Sequence, residues 1–357
     1  MTIDSLIKKV NKAHGEGTLV RGSDLKDLVI PRCTTGSLAL DLMLGGGWPL
    51  NCWNEIVGEP SNGKSLIALK TIAANQAIDP HYEVLWVAAE DFVHEWAETC
   101  GVDLDRVTVS TTRVMEEAFT IVIDALDDRA VDAVVIDSLS ALVPSDEDEK
   151  SMDEWLIGLG ARITNKFMRK SASAQRRHLD REDRNCLGIV ISQWREKVGV
   201  MFGDSRTTPY GRGKEFHYIT RVEARRDEWI KSGKDERVGI TMKARTIKNK
   251  MAPPQRVATV DFYWQDVPGF PAGEYDRVKE IINIAVAYDI IEQSGGWYTF
   301  DDQKWNGKDK LVASIREELD LQEKIDMTVR EVVINGRPLG EVLEATRPKT
   351  VRRRRGR

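Results

Sequence analysis

The chain has 357 residues, of which 41% are hydrophobic and 31% are charged. This composition supplies enough apolar side chains for a large core and excludes collagen-like, low-complexity and membrane-spanning proteins, while the length favours two or three folded units. The formal net charge is −5, although seven of the residues in the terminal segment 347–357 are basic. An acidic body with a basic tail argues against a histone-like polycation and leaves room for a local segment that binds a polyanion.

The cysteines and the first residues of the chain indicate the cellular compartment in which the protein works. Cys33, Cys52, Cys100 and Cys186 have neither the paired spacing of a metal site nor the density of a disulfide framework. The first residues lack a basic-then-apolar signal, and no apolar run reaches the roughly 18 residues that a spanning helix needs. We therefore expect a reducing, cytoplasmic location and no membrane partner.

The first segment predicts a small appendage to the core. Leu6, Val10 and Ala13 share one face of a helix over residues 2–14, and glycines follow before a short extended run at 18–21. Residues 1–30 are therefore interpreted as an N-terminal helix and strand that could serve in assembly.

The middle of the chain predicts an α/β core over residues 31–265. Apolar strand-like runs at 55–57, 84–88, 133–136 and 187–191 are separated by helical stretches. Strands that alternate with helices predict a mainly parallel sheet that is covered on both faces. More closely spaced runs, at about 218–226, 238–247 and 256–263, predict an antiparallel extension of this sheet.

A linker and a smaller domain follow. Residues 266–273 are rich in proline and glycine, which is typical of a linker. Helical patterns at 275–288 and 310–319 flank a strand-like run at 296–300. We therefore predict a small α+β C-terminal domain over residues 266–345 and a basic tail over 346–357.

One motif indicates nucleotide binding. The segment Gly-Glu-Pro-Ser-Asn-Gly-Lys-Ser matches G-x-x-x-x-G-K-S/T, and it lies between an apolar strand and a helix-compatible run at 66–78. In such a loop backbone N–H groups wrap phosphate oxygens, the lysine supplies positive charge and the serine offers a hydroxyl to Mg²⁺. The predicted ATP-binding residues are Gly58, Glu59, Pro60, Ser61, Asn62, Gly63, Lys64 and Ser65.

Two later strands end in carboxylates. The apolar run at 131–136 is followed by Asp137, which is where a P-loop protein needs an acid for the water shell of Mg²⁺. The run at 84–88 is followed closely by Glu90, which could orient or deprotonate an attacking water. The alternative for Glu90 is an acid at a helix N-terminus, where the helix dipole favours it.

The order of these motifs resembles the RecA-type recombinases from Leu6 to about Val333. The resemblance is carried by Thr35-Gly-Ser-Leu-Ala-Leu-Asp41, by the block 131–144, by Val198-Gly-Val-Met-Phe-Gly203, by Lys248-Asn-Lys250 with Ala252-Pro253, and by Gly296-Trp-Tyr298. Several motifs in family order are more specific than a P-loop alone. The resemblance implies a P-loop RecA-type ATPase core with a mainly parallel central sheet, and it implies ATP and Mg²⁺ as cofactors.

The resemblance also assigns catalytic roles. Glu90 becomes the carboxylate that activates water, and Asp137 becomes the acid of the Mg²⁺ shell. Gln193 matches the residue that senses the γ-phosphate, because its amide can bond a phosphate or a water and change partners. Lys248 and Lys250 match lysines that reach the ATP of the neighbouring protomer, like an arginine finger supplied in trans. The alternatives are a polar strand end for Gln193 and a solvated edge for the lysines.

The base of ATP has one candidate contact. Trp96 aligns with an aromatic residue that stacks on adenine in this family, if one residue is deleted relative to the family pattern. The alternative is a tryptophan of the core.

DNA binding would use two loops, at about 144–159 and 194–213. The first loop is acidic at 145–149, so its contact would be an apolar wedge at its end, and the next helix carries two arginines on one face. The second loop combines glycines with basic residues that follow a phosphate backbone without reading bases. The predicted DNA-binding residues are Ile157, Arg162, Arg169, Arg195, Lys197, Val198, Phe202, Gly211, Arg212 and Gly213, and a second site for duplex DNA comprises Arg225, Arg226, Lys243 and Arg245.

Three features depart from the family pattern. Glu215 stands where a lysine is expected at the protomer interface, and the chain between Arg169 and Gln193 is about six residues longer than usual. The family's tail is acidic, whereas the segment 347–357 is rich in arginine. These departures favour a bacteriophage recombinase over a cellular one.

The leading hypothesis is a DNA-dependent ATPase that forms helical filaments on single-stranded DNA and pairs it with homologous duplex DNA. Single-strand-binding and loading proteins are possible partners of such a homo-oligomer. The main alternative is a ring-forming motor, either a helicase or a packaging ATPase, which would need an arginine finger instead of a lysine pair. A small-molecule kinase would need a lid and a second substrate pocket, and a non-catalytic mediator would not need Glu90, Lys64 and Asp137.

Overall fold

The structure is a computed structural model. It describes residues 2–15, 17–27, 30–145, 158–176, 184–196, 205–233, 235–268 and 270–336. The chain divides into two compact units, Met1–Pro31 and Arg32–Arg357. No helix in the part of the chain that the structure describes is long and apolar enough to cross a membrane.

The first unit contains helix α1 (Ile3–His14). Thr2 caps it by accepting a hydrogen bond from the backbone of Ser5. No residue of α1 is buried, and its apolar side chains Ile3 and Leu6 are exposed. The side chain of Asn11 bonds both backbone groups of Leu19, at 2.8 and 3.0 Å. The structure assigns no strand to residues 18–21, because this segment bonds to a side chain of its own helix rather than to a second strand.

The second unit is built on a sheet. Its strands in chain order are β1 (Arg32–Cys33), β2 (Trp48–Pro49), β3 (Cys52–Gly58), β4 (Val84–Ala88), β5 (Val107–Ser110), β6 (Ala133–Asp137), β7 (Leu187–Gln193), β8 (Arg195–Glu196), β9 (Arg206–Thr207), β10 (Tyr218–Ser232), β11 (Glu236–Asn249), β12 (Val257–Tyr263), β13 (Glu274–Tyr275), β14 (Glu292–Ser294), β15 (Trp297–Phe300) and β16 (Gln303–Asn306). Nine of them form one sheet of order β13-β12-β11-β10-β3-β7-β6-β4-β5. Neighbours from β10 to β5 are parallel, and β11, β12 and β13 continue the sheet in antiparallel pairs. The predicted fold class is confirmed.

Helices cover both faces of this sheet. They are α2 (Leu38–Leu44), α3 (Lys64–Ile78), α4 (His94–Thr99), α5 (Met115–Asp127) and α6 (Leu159–Arg176), and three more follow in the C-terminal part, α7 (Arg277–Ala287), α8 (Lys308–Glu317) and α9 (Leu319–Val329). Successive residues of β4 point to opposite faces, so Trp86 joins the core beneath α3 while Val87 joins the core beneath α5. A strand that is buried on both faces reads as a continuous apolar run, which is why the sequence located β4 without error.

The C-terminal part has its own apolar core. Ile282, Phe300, Leu311 and Ile325 are buried together where α7, α8 and α9 meet the sheet β14-β15-β16. The sequence did not predict α9, β14 or β16. Both strands are short, and most of their residues are exposed, so they carry no apolar alternation.

The start of α7 also differs from the predicted boundary at residue 275. Tyr275 belongs to β13, and the carboxylate of Asp276 accepts a hydrogen bond from the backbone of Lys279 at 3.0 Å. An aspartate in this position satisfies a free N–H of the first turn, so the helix begins at Arg277.

Candidate functional site

The P-loop lies between the end of β3 at Gly58 and the start of α3 at Lys64. Gly63 caps the helix with a φ of 86°, a left-handed conformation that favours glycine. A Cβ at this position would lie 2.4 Å from the sulfur of Met242. The loop residues Glu59, Pro60 and Ser61 are exposed, so free N–H groups at the start of α3 can meet a phosphate as the motif predicts.

Lys64, Ser65 and Asp137 meet at the head of the loop. Lys64 is buried and its Nζ donates to the carbonyl of Glu59 at 2.8 Å. Burial lowers the pKa of Lys64, although the carboxylates of Glu90 and Asp137 oppose this shift. Burial raises the pKa of Asp137 to about 6, opposed chiefly by a hydrogen bond from Ser65. A carboxylate and a hydroxyl placed together at a phosphate loop fit Mg²⁺, whose ligands are oxygens.

The carboxylate of Glu90 is held by two side chains. Nε2 of Gln193 donates to Oε1 of Glu90 at 2.8 Å, and the hydroxyl of Ser138 donates to the same oxygen. The backbone N–H of Gln193 is itself fixed by the hydroxyl of Ser140 at 3.1 Å. The ends of β4, β6 and β7 therefore bring the predicted water-activating carboxylate and the predicted phosphate sensor into direct contact.

A cavity of about 440 Å³ opens beside these groups. Trp96, on α4, lies in its wall and meets the ring of Phe262 edge-on, with 5.9 Å between the ring centres. The cavity is lined by Pro60, Ser61, Gly63, Lys64, Ser65, Leu66, Glu90, Trp96, Asp137, Gln193, Trp229, Ile240, Phe262 and Trp264. Sequence reasoning missed four of these residues, Trp229, Ile240, Phe262 and Trp264, because nothing in the motif order indicated that β10, β11 and β12 border the P-loop cavity.

The two lysines of the predicted trans contact lie elsewhere. The described residues that line the cavity do not include Lys248 or Lys250. Nζ of Lys248 donates to the carbonyl of Glu215, and Nζ of Lys250 lies 3.5 Å from the carbonyl of Phe216. Burial lowers the pKa of Lys248 to about 8, with Lys250 adding to the shift. The lysines thus form one cationic group, away from the nucleotide cavity of their own chain.

The predicted DNA-binding residues are only partly within the described chain. Ile157, Lys197, Val198 and Phe202 lie outside the described residues. Arg162 and Arg169 are exposed on α6, as the spacing predicts. The second loop leaves the sheet through the pair β8 and β9, in which Arg195 is opposite Thr207.

The returning half of that loop is tied down by a buried lysine. Nζ of Lys214 donates to Oγ1 of Thr208 at 2.8 Å and to the carbonyl of Gly211 at 3.1 Å, and the carbonyl of Pro209 accepts a further bond. Gly211 and Arg212 are exposed, whereas a Cβ on Gly213 would meet the side-chain oxygen of Asn165 at 2.4 Å. Gly213 therefore packs on α6, whereas Gly211 and Arg212 face solvent.

Comparison with known proteins decides the family. The model for the RecA N-terminal domain matches residues 1–267, and the model for the RecA C-terminal domain matches residues 279–334. The chain belongs to the RecA family. Membership of this family supports a recombinase-like function for the chain, with binding of ATP, hydrolysis of ATP and binding of DNA.

Several curated relatives cover almost the whole chain. The chain is 35% identical over 333 residues to Protein RecA of Bacillus mycoides (strain KBAB4), with 92% of each chain covered. It is 34% identical over 345 residues to Protein RecA of Staphylococcus carnosus (strain TM300), covering 92% of this chain and 89% of the relative. Protein RecA of Staphylococcus aureus (strain JH9) is 36% identical over 333 residues, which cover 92% of this chain and 91% of the relative.

Glu215, which departs from the RecA pattern, forms an ion pair within the chain. Its carboxylate pairs with Nη1 of Arg221 at 3.1 Å, and Nε of Arg221 donates to the buried carboxylate of Glu55 on β3. Ser192 donates to the same Glu55 at 2.8 Å. Glu215 thus belongs to an ionic network that reaches Glu55 on the P-loop strand. The backbone carbonyl of Glu215 also accepts a hydrogen bond from Lys248, so the network connects this strand to the lysine pair.

The residues predicted for a second RecA-type DNA site lie on two faces of the β10–β11 hairpin. Arg225 lies directly opposite Lys243, and Nη2 of Arg245 is 2.7 Å from the carboxylate of Glu223. Glu223 also pairs with Arg206 at the foot of the second loop. Arg226 lies opposite Met242 on the other face, with its guanidinium 4.1 Å from the ring centre of Trp229. The structure therefore brings three of the four residues together and separates Arg226 from them.

Proposed function

We propose that the chain is a DNA-dependent ATPase that assembles as a filament on single-stranded DNA and catalyses homologous pairing and strand exchange in recombination and repair. The observation that carries this proposal is the contact between Glu90 and Gln193. Gln193 is the last residue of β7, and the predicted DNA-binding loop begins at the next residue. A single side chain therefore joins the catalytic carboxylate to the segment that would hold DNA.

The residues divide the work of hydrolysis between them. Lys64 and the N–H groups of the loop bind the phosphates, while Ser65 and Asp137 supply the oxygens for Mg²⁺, which would neutralise charge on the phosphates when bound. Glu90 accepts a proton from the attacking water, and the donors Gln193 and Ser138 fix the orientation of its carboxylate. A rearranged loop would move Gln193 and change the orientation of Glu90, so hydrolysis would respond to DNA.

Assembly would complete the site. Lys248 and Lys250 lie outside the cavity of their own chain but form a cationic group, as a contact in trans requires. Phe216, next to the carbonyls that hold these lysines, is 78% exposed, which is unusual for a large apolar side chain and fits a contact with another subunit. We propose that the neighbouring protomer of a filament covers this surface.

The first experiment measures ATP hydrolysis with and without single-stranded DNA over a range of protein concentrations, with Lys64→Ala as the inactive control. We expect strong stimulation by DNA and a cooperative dependence on protein concentration. A rate of hydrolysis that depends neither on DNA nor on protein concentration would contradict the proposal that the active enzyme is a filament.

A mixing experiment tests the contact in trans and separates a lysine-completed site from a site within one chain. Lys64→Ala keeps the lysine pair, and a Lys248→Ala, Lys250→Ala double variant keeps the P-loop. If the lysines act in trans, an equal mixture of the two inactive proteins regains part of the activity, because some interfaces combine an intact loop with intact lysines. A mixture that stays inactive, although both proteins bind DNA, would contradict the trans role and reopen the ring-forming motor as the alternative.

A further inference from the structure

Both sides of the second predicted DNA-binding loop are bonded to one short segment that follows β6. Just before the loop, the backbone N–H of Gln193 donates to Oγ of Ser140 at 3.1 Å. In the returning half of the loop, the hydroxyl of Tyr210 donates to the backbone carbonyl of Leu142. We call residues 138–142, which contain both acceptors, the anchor segment.

The anchor segment also holds the proposed water activator. The hydroxyl of Ser138, its first residue, donates to the carboxylate of Glu90. A 3₁₀ turn over Leu139–Ala141 joins Ser138 to Leu142, and the side chains of Leu139 and Leu142 are 1% and 0% exposed. Both leucines pack in the core beneath α5, and a closely packed interior transmits strain. A displacement at Leu142 is therefore carried to Ser138 instead of being absorbed between them.

The backbone of Tyr210 is held in an unusual conformation. Its φ is 62°, in the left-handed region that few residues other than glycine, asparagine and aspartate adopt. Nζ of the buried Lys214 donates to the carbonyls on its two sides, those of Pro209 and Gly211. Such conformations persist only where the surroundings enforce them, and they cluster at functional sites and switch regions. Lys214 therefore fixes the backbone of the residue that reaches the anchor segment.

The ring of Tyr210 lies against the end of the first predicted loop. A Cβ at Gly160, in the first turn of α6, would be 2.5 Å from Cε1 of this ring, so the ring can approach the helix because Gly160 has no side chain. The first loop lies between Leu142 and Gly160 in the chain. Tyr210 therefore contacts the chain on both sides of the first loop, while its own backbone belongs to the second.

We propose that Tyr210 is a positioning residue that couples both predicted DNA-binding loops to Glu90 through the anchor segment. DNA held by either loop would move the hydroxyl of Tyr210 relative to Leu142. The anchor segment would pass this displacement to Ser138 and so reorient the carboxylate of Glu90. This coupling is separate from the side-chain bond of Gln193, because it acts through Ser138, the second donor to that carboxylate. The proposal rests on the proposed DNA-dependent hydrolysis of ATP, and it adds a residue through which the first loop takes part.

Removing the hydroxyl alone tests the proposal. Hydrolysis of ATP by the full chain is measured without DNA and at saturating oligo(dT), for the native protein, Tyr210→Phe and Tyr288→Phe. Tyr288→Phe is the matched control, because Tyr288 is a 51% exposed tyrosine at the end of α7. The KM for ATP and the affinity for oligo(dT) are determined for each protein, since a residue that serves only packing would change binding or change both rates equally.

We expect Tyr210→Phe to lower the stimulation of kcat by DNA about three- to tenfold, the effect of losing one neutral hydrogen bond. The KM for ATP and the affinity for oligo(dT) should stay within about twofold of the native values. Tyr288→Phe should match the native protein throughout. An unchanged stimulation in Tyr210→Phe, or equal losses of rate with and without DNA, would overturn the proposal.

A second variant displaces the tyrosine without removing it. In Gly160→Ala the added Cβ takes the place of the ring edge and pushes the hydroxyl away from Leu142. This variant should lower the stimulation by DNA as Tyr210→Phe does, so it serves if Tyr210→Phe is unstable. The double variant should lose no more than the larger single loss, because both changes break the same bond. Losses that multiply would show that the two changes act separately and would contradict coupling through that bond.

Failure of the proposed function gives a different pattern. If the chain does not couple hydrolysis to DNA, the native protein will show no stimulation, and both proposals fail together. If only the proposal for Tyr210 fails, the native protein, Tyr210→Phe and Gly160→Ala will be stimulated equally, whereas Gln193→Ala will have lost its response.

Discussion

Gln193 donates a hydrogen bond of 2.8 Å to the carboxylate of Glu90, across the ends of two strands that are not adjacent in the sheet. Glu90 follows β4 and Gln193 ends β7, and β6 lies between those strands. Ser138, just after β6, donates to the same carboxylate oxygen. The carboxylate that we propose as the water activator is therefore held from three strand ends, and of the two side chains that donate to it Gln193 borders the predicted DNA-binding loop.

Replacing Gln193 should uncouple hydrolysis from DNA. In Gln193→Ala the carboxylate of Glu90 keeps Ser138 but loses the donor that a moving loop would withdraw or restore. We expect the stimulation of ATP hydrolysis by single-stranded DNA to fall at least about tenfold, the effect of losing one hydrogen bond to a charged group. ADP affinity should stay within about twofold, as measured by titration.

Gln293→Ala is the matched control, since Gln293 is an exposed glutamine on β14. It should retain full stimulation. A Gln193→Ala protein that still responds to DNA like the native chain would mean that the coupling runs through other residues of the loop.

The N-terminal helix should drive assembly. Ile3 and Leu6 are 53% and 38% exposed on α1, and no residue of the helix is buried. An amphipathic helix with a free apolar face gains stability by packing on another surface. We expect that deletion of residues 1–20 abolishes DNA-dependent assembly in sedimentation while ADP binding is retained.

Point variants refine this test. Ile3→Asp with Leu6→Asp should reproduce the deletion, whereas Lys8→Gln with Lys9→Gln, on the polar side of the same helix, should assemble normally. Filaments of normal length after the deletion would show that α1 has no part in assembly.

The sequence predicted the parts of the molecule that are encoded locally. Strand β4 and the P-loop could be located because a buried parallel strand is a continuous apolar run and a phosphate loop needs glycines at fixed spacing. Glu90 and Asp137 could be placed in one site because parallel strands end at the same edge of a sheet.

The remainder of the site depends on tertiary register. Trp229 reaches the nucleotide cavity only because a bulge shifts the ladder by one residue, and nothing in the run Arg-Arg-Asp-Glu-Trp marks that bulge. Arg225 and Arg226, grouped by sequence, lie on opposite faces because successive residues of a strand alternate. The role of Lys214 was equally hidden, since a lysine in a glycine-rich loop predicts a solvated cation and here is fully buried.

Lys214 should make folding stability depend on alkaline pH. Burial lowers the pKa of Lys214 to about 8, although Glu55 and Glu215 favour its charged form. An unfolded lysine keeps its proton to about pH 10.4, so between about pH 8 and 10 the unfolded chain binds more protons than the folded one. The native protein should therefore gain stability as pH rises through this window, by up to about 1.4 kcal/mol per pH unit from this group.

The measurement compares urea unfolding of the native chain and Lys214→Met at pH 7.5, 8.5 and 9.5. Other titrating groups are common to both proteins, so the difference between the two unfolding free energies isolates Lys214. This difference should shift toward the native protein as pH rises. A difference that stays constant would mean that Lys214 keeps its proton as readily among the loop oxygens as it does in water.

The arginine-rich tail should add affinity for duplex DNA without sequence preference. Seven basic residues stand between Arg347 and Arg357, whereas the whole chain has a net charge of −5, so the tail is the strongest local attraction for a polyanion in the sequence. Each phosphate that a basic side chain neutralises releases counterions and contributes about 0.9 to the slope of log affinity against log salt. The tail itself lies outside the described residues, and this prediction rests on its charge alone.

Deleting residues 347–357 should therefore flatten the salt dependence of duplex binding by several units of slope, with the largest loss of affinity at low salt. A tail of the same length with its arginines and lysine replaced by glutamine should behave like the deletion, because charge and not length is responsible. Nucleotide affinity, measured in parallel, should be the same in all three proteins. An unchanged salt slope after the deletion would exclude the tail from the DNA contact and leave the basic residues of the β10–β11 hairpin as the duplex site.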